Sequence, residues 1–178
     1  MFVSNIDKNI PKSFKNKTEE QVFESFKKLN ISFEKVDNDE AFSMEDCIEI
    51  DKKLDVEIRK SIFLCNSKKN TFFLVVIPST KSLDVNSLSK KININKLSFA
   101  SEEYMEKYLG CLPGTACISC LFNDLDDYVI PIIDKEILNT EYFGMNTGIN
   151  TTHVKIKTED LINKFIPHTK HKAKIIEL

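Results

Sequence analysis

The sequence is poor in glycine, tryptophan and arginine, and it contains no long apolar run. It has four glycines, no tryptophan and one arginine, Arg59, among 25 basic residues. No segment approaches the roughly 20 apolar residues that span a bilayer, and residues 1–17 lack the apolar stretch of a secretory signal. These absences exclude a transmembrane helix and an export signal, so we expect a cytoplasmic protein with no membrane partner.

The charge balance excludes proteins that coat nucleic acid without regard to sequence. The net charge is −2 at pH 7, whereas such proteins usually carry a strongly basic face. Short lysine clusters, such as Lys52-Lys53 and Lys90-Lys91, still allow contact with a few phosphates. We therefore expect any binding to nucleic acid to depend only weakly on salt.

The five cysteines do not indicate a metal site. Their number is odd in a chain without an export signal, which favours reduced thiols. Cys117 and Cys120 have the spacing of half a zinc site, but structural zinc takes four ligands and no second pair exists. We predict that both pack in the core on a strand, and that the chain holds no metal. His153, His168 and His171 show no pattern of a catalytic triad.

The length of 178 residues favours one domain. We place it at 18–178, preceded by an N-terminal extension at 1–17. Thr18 and Gln21 have the spacing of a capping box, and apolar residues at helical spacing follow them. This pattern predicts a first helix that ends near Asn30.

Two apolar segments, Ser61–Cys65 and Phe72–Ile77, predict a β-hairpin, since a polar turn separates them. Their almost continuous apolar character predicts that both faces are covered. Further helices are predicted at 43–54, 86–92, 101–109 and 158–166, and further strands at 31–36, 117–122, 128–133, 141–145 and 153–156. The predicted fold class is α/β (α+β mixed), with a central mixed β-sheet wrapped by helices.

The glycines are the most informative residues because all four lie between positions 110 and 148. Gly110 and Gly114 bracket one loop, and Gly144 and Gly148 bracket another. Glycine allows positive φ angles and close approach of other groups to the backbone. The two loops are therefore either the walls of a pocket or tight turns between strands.

Lys60 stands at the start of the apolar run Ser61–Cys65. A lysine at the end of a buried strand can project its ammonium group into a cleft, where it offers three hydrogen-bond donors. The alternative is that the side chain extends to water along the protein surface. Residue type alone does not decide between these two positions.

Six short segments follow one another in a fixed order. They are 59–66 (RKSIFLCN), 97–100 (LSFA), 110–115 (GCLPGT), 123–124 (ND), 141–144 (EYFG) and 149–152 (INTT). Together they resemble the YbaK/ProX-type prolyl-tRNA editing domains, and most of all the freestanding branch called PrdX, the alanyl-tRNA(Pro) deacylases. The similarity extends over about residues 18–178, and the order of the segments is more specific than any one of them.

The resemblance implies a mixed sheet wrapped by helices and hydrolysis of the ester that joins a wrong amino acid to proline tRNA. It implies that Lys60 is the essential lysine, that no metal or cofactor takes part, and that a ribose hydroxyl of the substrate helps to activate water. The implied partners are the acceptor end of tRNA(Pro), with prolyl-tRNA synthetase or an elongation factor. The implied substrate-binding residues are Ser61, Gly110, Leu112, Pro113, Gly114, Thr115, Asn146, Asn150 and Thr151.

The sequence departs from the family pattern at two positions. Ser61 stands where members carry an asparagine after the lysine, and Asn146 or Thr147 stands where they carry a histidine. Alanine is the first expected substrate, but these changes leave open a preference for seryl or threonyl esters. They also leave open a second function, that of a binding or regulatory module that recognises charged tRNA with little turnover.

Overall fold

The computed structural model describes residues 1–178. Its α-helices are α1 (Lys17–Leu29), α2 (Ile48–Leu54), α3 (Val85–Lys91), α4 (Glu102–Tyr104), α5 (Thr158–Asp160) and α6 (Ile166–His168). The π-helical segments Met105–Leu109 and Leu161–Phe165 follow α4 and α5, and 3₁₀ helices lie at Ile118–Asn123 and Lys135–Asn139. The strands are β1 (Phe33–Asp37), β2 (Lys60–Asn66), β3 (Phe72–Ile77), β4 (Leu97–Phe99), β5 (Val129–Asp134), β6 (Tyr142–Asn146), β7 (Thr152–Lys157) and β8 (Lys174–Ile176).

The strands form two sheets. The five-stranded sheet has the order β4-β2-β3-β5-β8, in which the β2–β3 hairpin is antiparallel and β5 pairs in parallel with β3 and β8. The second sheet is antiparallel, with the order β1-β7-β6. The predicted hairpin is confirmed, and so is the mixed α/β fold class. All six residues of β3 are buried, as its continuous apolar sequence predicts.

The two sheets meet where the chain enters β2. Ile58 and Gly144 form a parallel bridge, and the backbone N–H of Arg59 donates to the carbonyl oxygen of Gly144 at 3.0 Å. The start of β2 therefore lies beside the middle of β6. This junction brings Lys60 close to residues of the smaller sheet.

Helix α1 covers the largest apolar cluster. Val22, Phe23 and Phe26 recur at helical spacing and are at most 1% exposed. The helix begins before the predicted capping box, because the side-chain oxygen of Asn16 accepts the N–H of Glu19 at 2.8 Å. Asparagine is a strong N-cap residue, and its oxygen reaches the third amide of the helix. The prediction of Thr18 as the cap was therefore wrong.

Two other predicted elements differ in the structure. The segment 117–122 is a 3₁₀ helix from Ile118 to Asn123 rather than a strand. All of residues 117–121 are buried, so neither helical nor alternating spacing can be read from this run. The second helix begins at Ile48 instead of Ser43, because Asp46 accepts the N–H groups of Phe42 and Ser43 and holds a separate turn there.

The last helical region, predicted to end before Pro167, continues through it to His168. Pro167 directly follows the π-helical segment Leu161–Phe165, and the helix is continuous around it. A proline inside a helix cannot donate the i→i−4 hydrogen bond, and the π-helical turn departs from that pattern just before this position.

The N-terminal segment before α1 lies along the outer edge of β1. Val3 pairs with Asn38 and Asp7 with Lys35 in isolated antiparallel bridges. The division at residue 17 remains a prediction. None of the helices has the length and apolar composition needed to cross a membrane.

Candidate active site

A cavity of about 400 Å³ opens at the junction of the two sheets. The start of β2 forms one wall, and the ends of β4 and β6 and the start of β7 contribute further residues. The cavity is mainly apolar with a few polar groups, which is the usual composition of a small-ligand site. Its lining comes from residues within 41–47, 58–63, 99–100 and 114–116, with Met105, Asn146 and His153.

The structure brings together four of the ten residues that the sequence suggested for the site. Lys60, Ser61, Gly114 and Asn146 line the cavity. The other six do not line it, namely Gly110, Leu112, Pro113, Thr115, Asn150 and Thr151. Two of these six hydrogen-bond to lining residues: the carbonyl of Thr115 accepts from Asn146, and the carbonyl of Asn150 accepts from Ala41.

The ammonium group of Lys60 is held by a backbone carbonyl and by no carboxylate. Its Nζ donates to the carbonyl oxygen of Lys81 at 2.8 Å, and it forms no ion pair. Lys81 is itself anchored, because its own ammonium lies 2.7 Å from Asp134 and 3.1 Å from Glu136. The hydrogen bond with Asp134 raises the pKa of Lys81. Lys60 therefore keeps a fixed position with donors left for a ligand.

Arg59 also borders the cavity, but its charge is already paired. The guanidinium group contacts Glu57 and donates to the hydroxyl of Thr140 at 3.0 Å, and the residue is only 8% exposed. No aspartate or glutamate lines the cavity. Lys60 therefore supplies the unpaired charge of the site, which is positive and suits an anion or an oxygen that gains negative charge.

The glycine-bracketed loop at 110–114 combines the two roles that the sequence left open. Gly110, with φ of +59°, ends the helical segment after α4, and Asn123 packs against it and donates to the Leu109 carbonyl at 2.8 Å. Gly114, with φ of +86°, lies against Phe42, whose carbonyl oxygen would be 3.2 Å from an added β-carbon. Gly110 is thus a turn residue, and Gly114 forms part of the wall.

Unpaired backbone donors occur beside Gly114. The N–H groups of Gly114 and Ala116 form no hydrogen bond within the protein, and both residues line the cavity. Leu112 and Thr115 instead bond each other, since the Thr115 hydroxyl accepts the N–H of Leu112 at 3.1 Å and donates to its carbonyl at 2.8 Å. This closed turn leaves the two free N–H groups beside the cavity.

The amide of Asn146 joins two loops at the wall of the cavity through hydrogen bonds. Its Nδ2 donates to the Thr115 carbonyl at 3.3 Å, and its Oδ1 accepts the N–H of Gly148 at 2.9 Å. Both ends of the side chain are therefore engaged within the protein. Asn150 and Thr151 lie further back, where the carbonyl of Asn150 accepts the N–H of Ala41 at 3.1 Å.

Sequence reasoning missed His153, which lines the cavity and is 2% exposed. Its Nδ1 lies 2.8 Å from Oδ1 of Asn38. Burial, with a smaller effect from the charge of Lys15, lowers the pKa of His153 to about 4. The sequence offered a partial signal, because the predicted strands 141–145 and 153–156 are joined by a short loop; the structure then pairs Asn146 with His153 across β6 and β7.

Two exposed phenylalanines stand at the rim. Phe42 is 61% exposed and Phe99 is 71% exposed, and both line the cavity. Large exposed aromatic side chains beside a cavity are typical of ligand contacts, since aromatic side chains that only pack in the core are buried. They can stack on a flat ring held at the mouth.

The cysteines and the remaining histidine cluster have structural roles. All five cysteines are buried and free. Cys117 and Cys120 lie in the core as predicted, but at a 3₁₀ helix instead of on a strand. His171 and Asp124 are both buried and lie 3.0 Å apart, with the exposed Asp127 at 3.9 Å from the same ring nitrogen. Asp124 also accepts the N–H groups of Tyr128 and Val129. These bonds fasten the C-terminal segment beside β5, which explains the cluster without a metal.

The fold and the site define a mixed α/β domain with an open cavity that carries one unpaired ammonium group and free backbone donors. The family model of the aminoacyl-tRNA editing domain matches residues 39–164. The chain belongs to this family.

Similar proteins agree with this assignment. The chain is 29% identical to the prolyl-tRNA editing protein ProX of Acetoanaerobium sticklandii over 150 residues, which cover 84% of this chain and 91% of the relative. It is 26% identical to the prolyl-tRNA synthetase associated domain-containing protein 1 of Danio rerio, with 86% and 83% covered. A solved structure described as a candidate trans-editing enzyme for prolyl-tRNA synthetase has the same fold, with a TM-score of 0.69 at 12% identity over 93% of this chain and 98% of that one.

Proposed function

We propose that this protein is a hydrolase that removes wrongly attached amino acids from proline tRNA, with the alanyl ester as its first substrate. The observation that carries the proposal is Lys60, which lines a cavity without carboxylates and whose ammonium group forms no ion pair. The relatives named for prolyl-tRNA editing support the choice of tRNA. Editing has a clear physical reason. A synthetase pocket that binds proline also accepts the smaller alanine, because each missing methylene group lowers the binding free energy by only about 1–3 kcal/mol.

The cavity supplies the two contributions that ester hydrolysis needs from the protein. Negative charge develops on the ester carbonyl oxygen, and the N–H groups of Gly114 and Ala116 are fixed donors for it. The ammonium group of Lys60 anchors the terminal adenosine or its ester so that the reacting carbon is held for attack. No side chain in the cavity is a strong base, which agrees with activation of water by the ribose hydroxyl of the substrate.

The test is deacylation of mischarged tRNA(Pro) by the purified protein and by Lys60→Ala. We expect the substitution to lower the rate by roughly 100-fold or more, the usual loss when one stabilising donor is removed. Lys60→Arg keeps the charge but not the compact geometry, so we expect only partial recovery. Lys68→Ala is the matched control, because Lys68 is an exposed lysine in the β2–β3 turn. An unchanged rate in Lys60→Ala would contradict the assignment.

The choice of amino acid depends on the surroundings of Ser61. Its hydroxyl forms no hydrogen bond within the protein and borders the cavity, so it can pair with a polar substrate side chain. A panel of alanyl, seryl, threonyl, cysteinyl and prolyl esters on the same tRNA decides the preference. We expect the alanyl ester to be cleaved fastest and the prolyl ester to be spared.

A second candidate is a module that binds charged tRNA with little turnover. The observations that favour it are that Ser61 and Asn146 stand where the family carries an asparagine and a histidine, and that the lowered pKa of His153 makes it a poor base. Tight binding of an uncleavable aminoacyl-adenosine amide, without hydrolysis of any ester in the panel, would support this function instead.

We further propose that the protein acts in the cytoplasm on the acceptor end of tRNA(Pro), in reach of prolyl-tRNA synthetase or an elongation factor. An enzyme that edits in trans must hydrolyse the mischarged tRNA before the ribosome uses it. Co-elution of the purified protein with either partner in the presence of tRNA(Pro) tests this association.

A further inference from the structure

The imidazole ring of His153 has one hydrogen-bonding atom that the protein leaves without a partner. Nδ1 lies 2.8 Å from Oδ1 of Asn38, whereas Nε2 forms no hydrogen bond within the protein. The residue is 2% exposed and lines the cavity. Nε2 is not one of the fully buried unpaired atoms of the protein, so it is reached from the cavity and is open to a ligand there.

The position of the ring hydrogen follows from the contacts of Asn38. The Nδ2 of Asn38 donates to the carbonyl oxygens of Asp39 at 2.6 Å and Asn150 at 2.9 Å, so its Oδ1 must face the histidine. An oxygen of this kind can only accept, and Nδ1 of His153 therefore carries the hydrogen. This leaves Nε2 as a bare acceptor. Burial lowers the pKa of His153 to about 4, so the ring stays neutral at neutral pH.

Among the other polar side chains of the cavity, only the Ser61 hydroxyl is also free to accept a hydrogen bond. Both ends of the Asn146 amide are engaged, the Ser43 hydroxyl pairs with Asp46, and Lys60 only donates. The hydroxyl of Ser61 can either donate or accept. Nε2 of His153 is thus the one free side-chain nitrogen that can only accept, and it requires a ligand that donates.

We infer that Nε2 of His153 binds the α-ammonium group of the aminoacyl ester, and so restricts the enzyme to esters with a free α-amino group. The inference rests on the proposed function, which places an aminoacyl ester in this cavity. Every aminoacyl ester carries this donor, and no carboxylate in the cavity competes for it. Peptidyl and N-acylated esters lack the ammonium group and are bulkier at that nitrogen, so they are excluded.

The alternative role for His153 is to take a proton from the attacking water. A general base works best when its pKa lies near the working pH. The pKa of His153, at about 4, is too low for efficient proton transfer at neutral pH. Accepting a hydrogen bond from an ammonium group needs no proton transfer, so His153 acts by positioning the substrate.

The test compares two uncleavable ligands that differ only at the α-amino group. One is adenosine carrying a 3′-alanylamide, and the other carries a 3′-propionylamide, in which hydrogen replaces the ammonium group. Binding of both is measured by calorimetry to the unmutated protein, His153→Asn and His153→Gln. Asparagine keeps a donor near Nδ1 for Asn38, whereas glutamine places an acceptor near Nε2.

We expect the unmutated protein to prefer the alanylamide by about tenfold or more, the range for a hydrogen bond to a charged group. His153→Asn should lose this preference and bind both ligands with similar affinity. His153→Gln should retain part of it. If the unmutated protein does not distinguish the ligands, or if His153→Asn distinguishes them equally well, the inference is wrong.

Two controls separate this result from other causes. Urea unfolding of both variants shows whether they fold, and His153→Gln tests the acceptor even where His153→Asn is unstable. Because the ligands are not cleaved, the comparison does not depend on turnover. A protein that prefers the alanylamide but cleaves no mischarged tRNA(Pro) would overturn the proposed function and leave the role of His153 intact.

Discussion

Gly144 lies so close to Glu57 that a β-carbon at residue 144 would be 2.7 Å from the Glu57 carbonyl oxygen. The same β-carbon would be 2.8 Å from the side chain of Ile58. This contact is where the two sheets meet, just before the chain reaches Arg59 and Lys60. A glycine at this position therefore sets the distance between the smaller sheet and the start of β2.

Gly144→Ala should push these two segments apart. We expect the free energy of unfolding to fall by about 1–3 kcal/mol, the usual cost of an overpacked contact. Deacylation should fall as well, because Lys60 moves with the start of β2. Urea unfolding and the rate on alanyl-tRNA(Pro) measure the two effects, with Ser67→Ala in the exposed β2–β3 turn as control. Unchanged values of both would show that the sheets do not approach this closely.

His153 should make the protein less stable in mild acid. The pKa of His153 is about 4 in the folded protein, against 6.5 for a histidine in water, so the unfolded chain binds the proton more tightly. This contribution to stability is complete above pH 6.5 and is lost as the pH falls towards 4. The loss between pH 7 and pH 5 amounts to about 2 kcal/mol.

The measurement is urea unfolding of the unmutated protein and of His153→Asn at both pH values. Asp51 has the opposite effect, because burial raises its pKa to about 6, but this effect is present in both proteins and cancels in the difference. We expect the variant to lose about 2 kcal/mol less than the unmutated protein. Equal losses would mean that His153 is not neutral and buried.

Phe99 should bind the terminal adenine by stacking, if the protein acts on charged tRNA as proposed. Stacking of a base on an aromatic side chain is worth about 1–3 kcal/mol, so Phe99→Ala should weaken binding of an aminoacyl-adenosine amide by roughly 5- to 100-fold. Leu125→Ala is the control, because Leu125 is 86% exposed and lies outside the cavity. Equal affinities for the two variants would exclude stacking at residue 99.

Asp124 should be essential for stability rather than for activity. It is buried and accepts bonds from Tyr128, Val129 and His171, so Asp124→Ala leaves several donors without a partner. We expect a loss of about 3 kcal/mol in the free energy of unfolding. Asp126→Ala removes a neighbouring exposed carboxylate, and should change it by less than about 0.5 kcal/mol. Similar effects of both changes would contradict this role.

Patterns that depend on neighbours in the chain could be read from the sequence. The β2–β3 hairpin and the first helix follow from apolar spacing and a polar turn, and the structure confirms both. The helical segment at 117–123 was misread because a short, wholly apolar run fits either period. Its residues 117–121 are all buried, and its helical form is seen only in backbone hydrogen bonds such as that from Cys120 to the Cys117 carbonyl.

The members of the site could be predicted only in part. Lys60 and Ser61 are identified by the segment that contains them, and Gly114 by the scarcity of glycine. Gly110 and Gly114 look alike in the sequence, yet one ends a helix and the other faces Phe42. The distinction depends on residues far along the chain.

The sequence by itself determined the fold class, the hairpin and the lysine at its start, because spacing and residue type act over a few neighbours. Only the tertiary structure decided that His153 belongs to the cavity and which of its nitrogens is free. That outcome depends on Asn38, which is 115 positions away in the chain, and on the burial that keeps the ring neutral. The contact with Asn38 and the burial of the ring both depend on how the two sheets pack together in the folded protein.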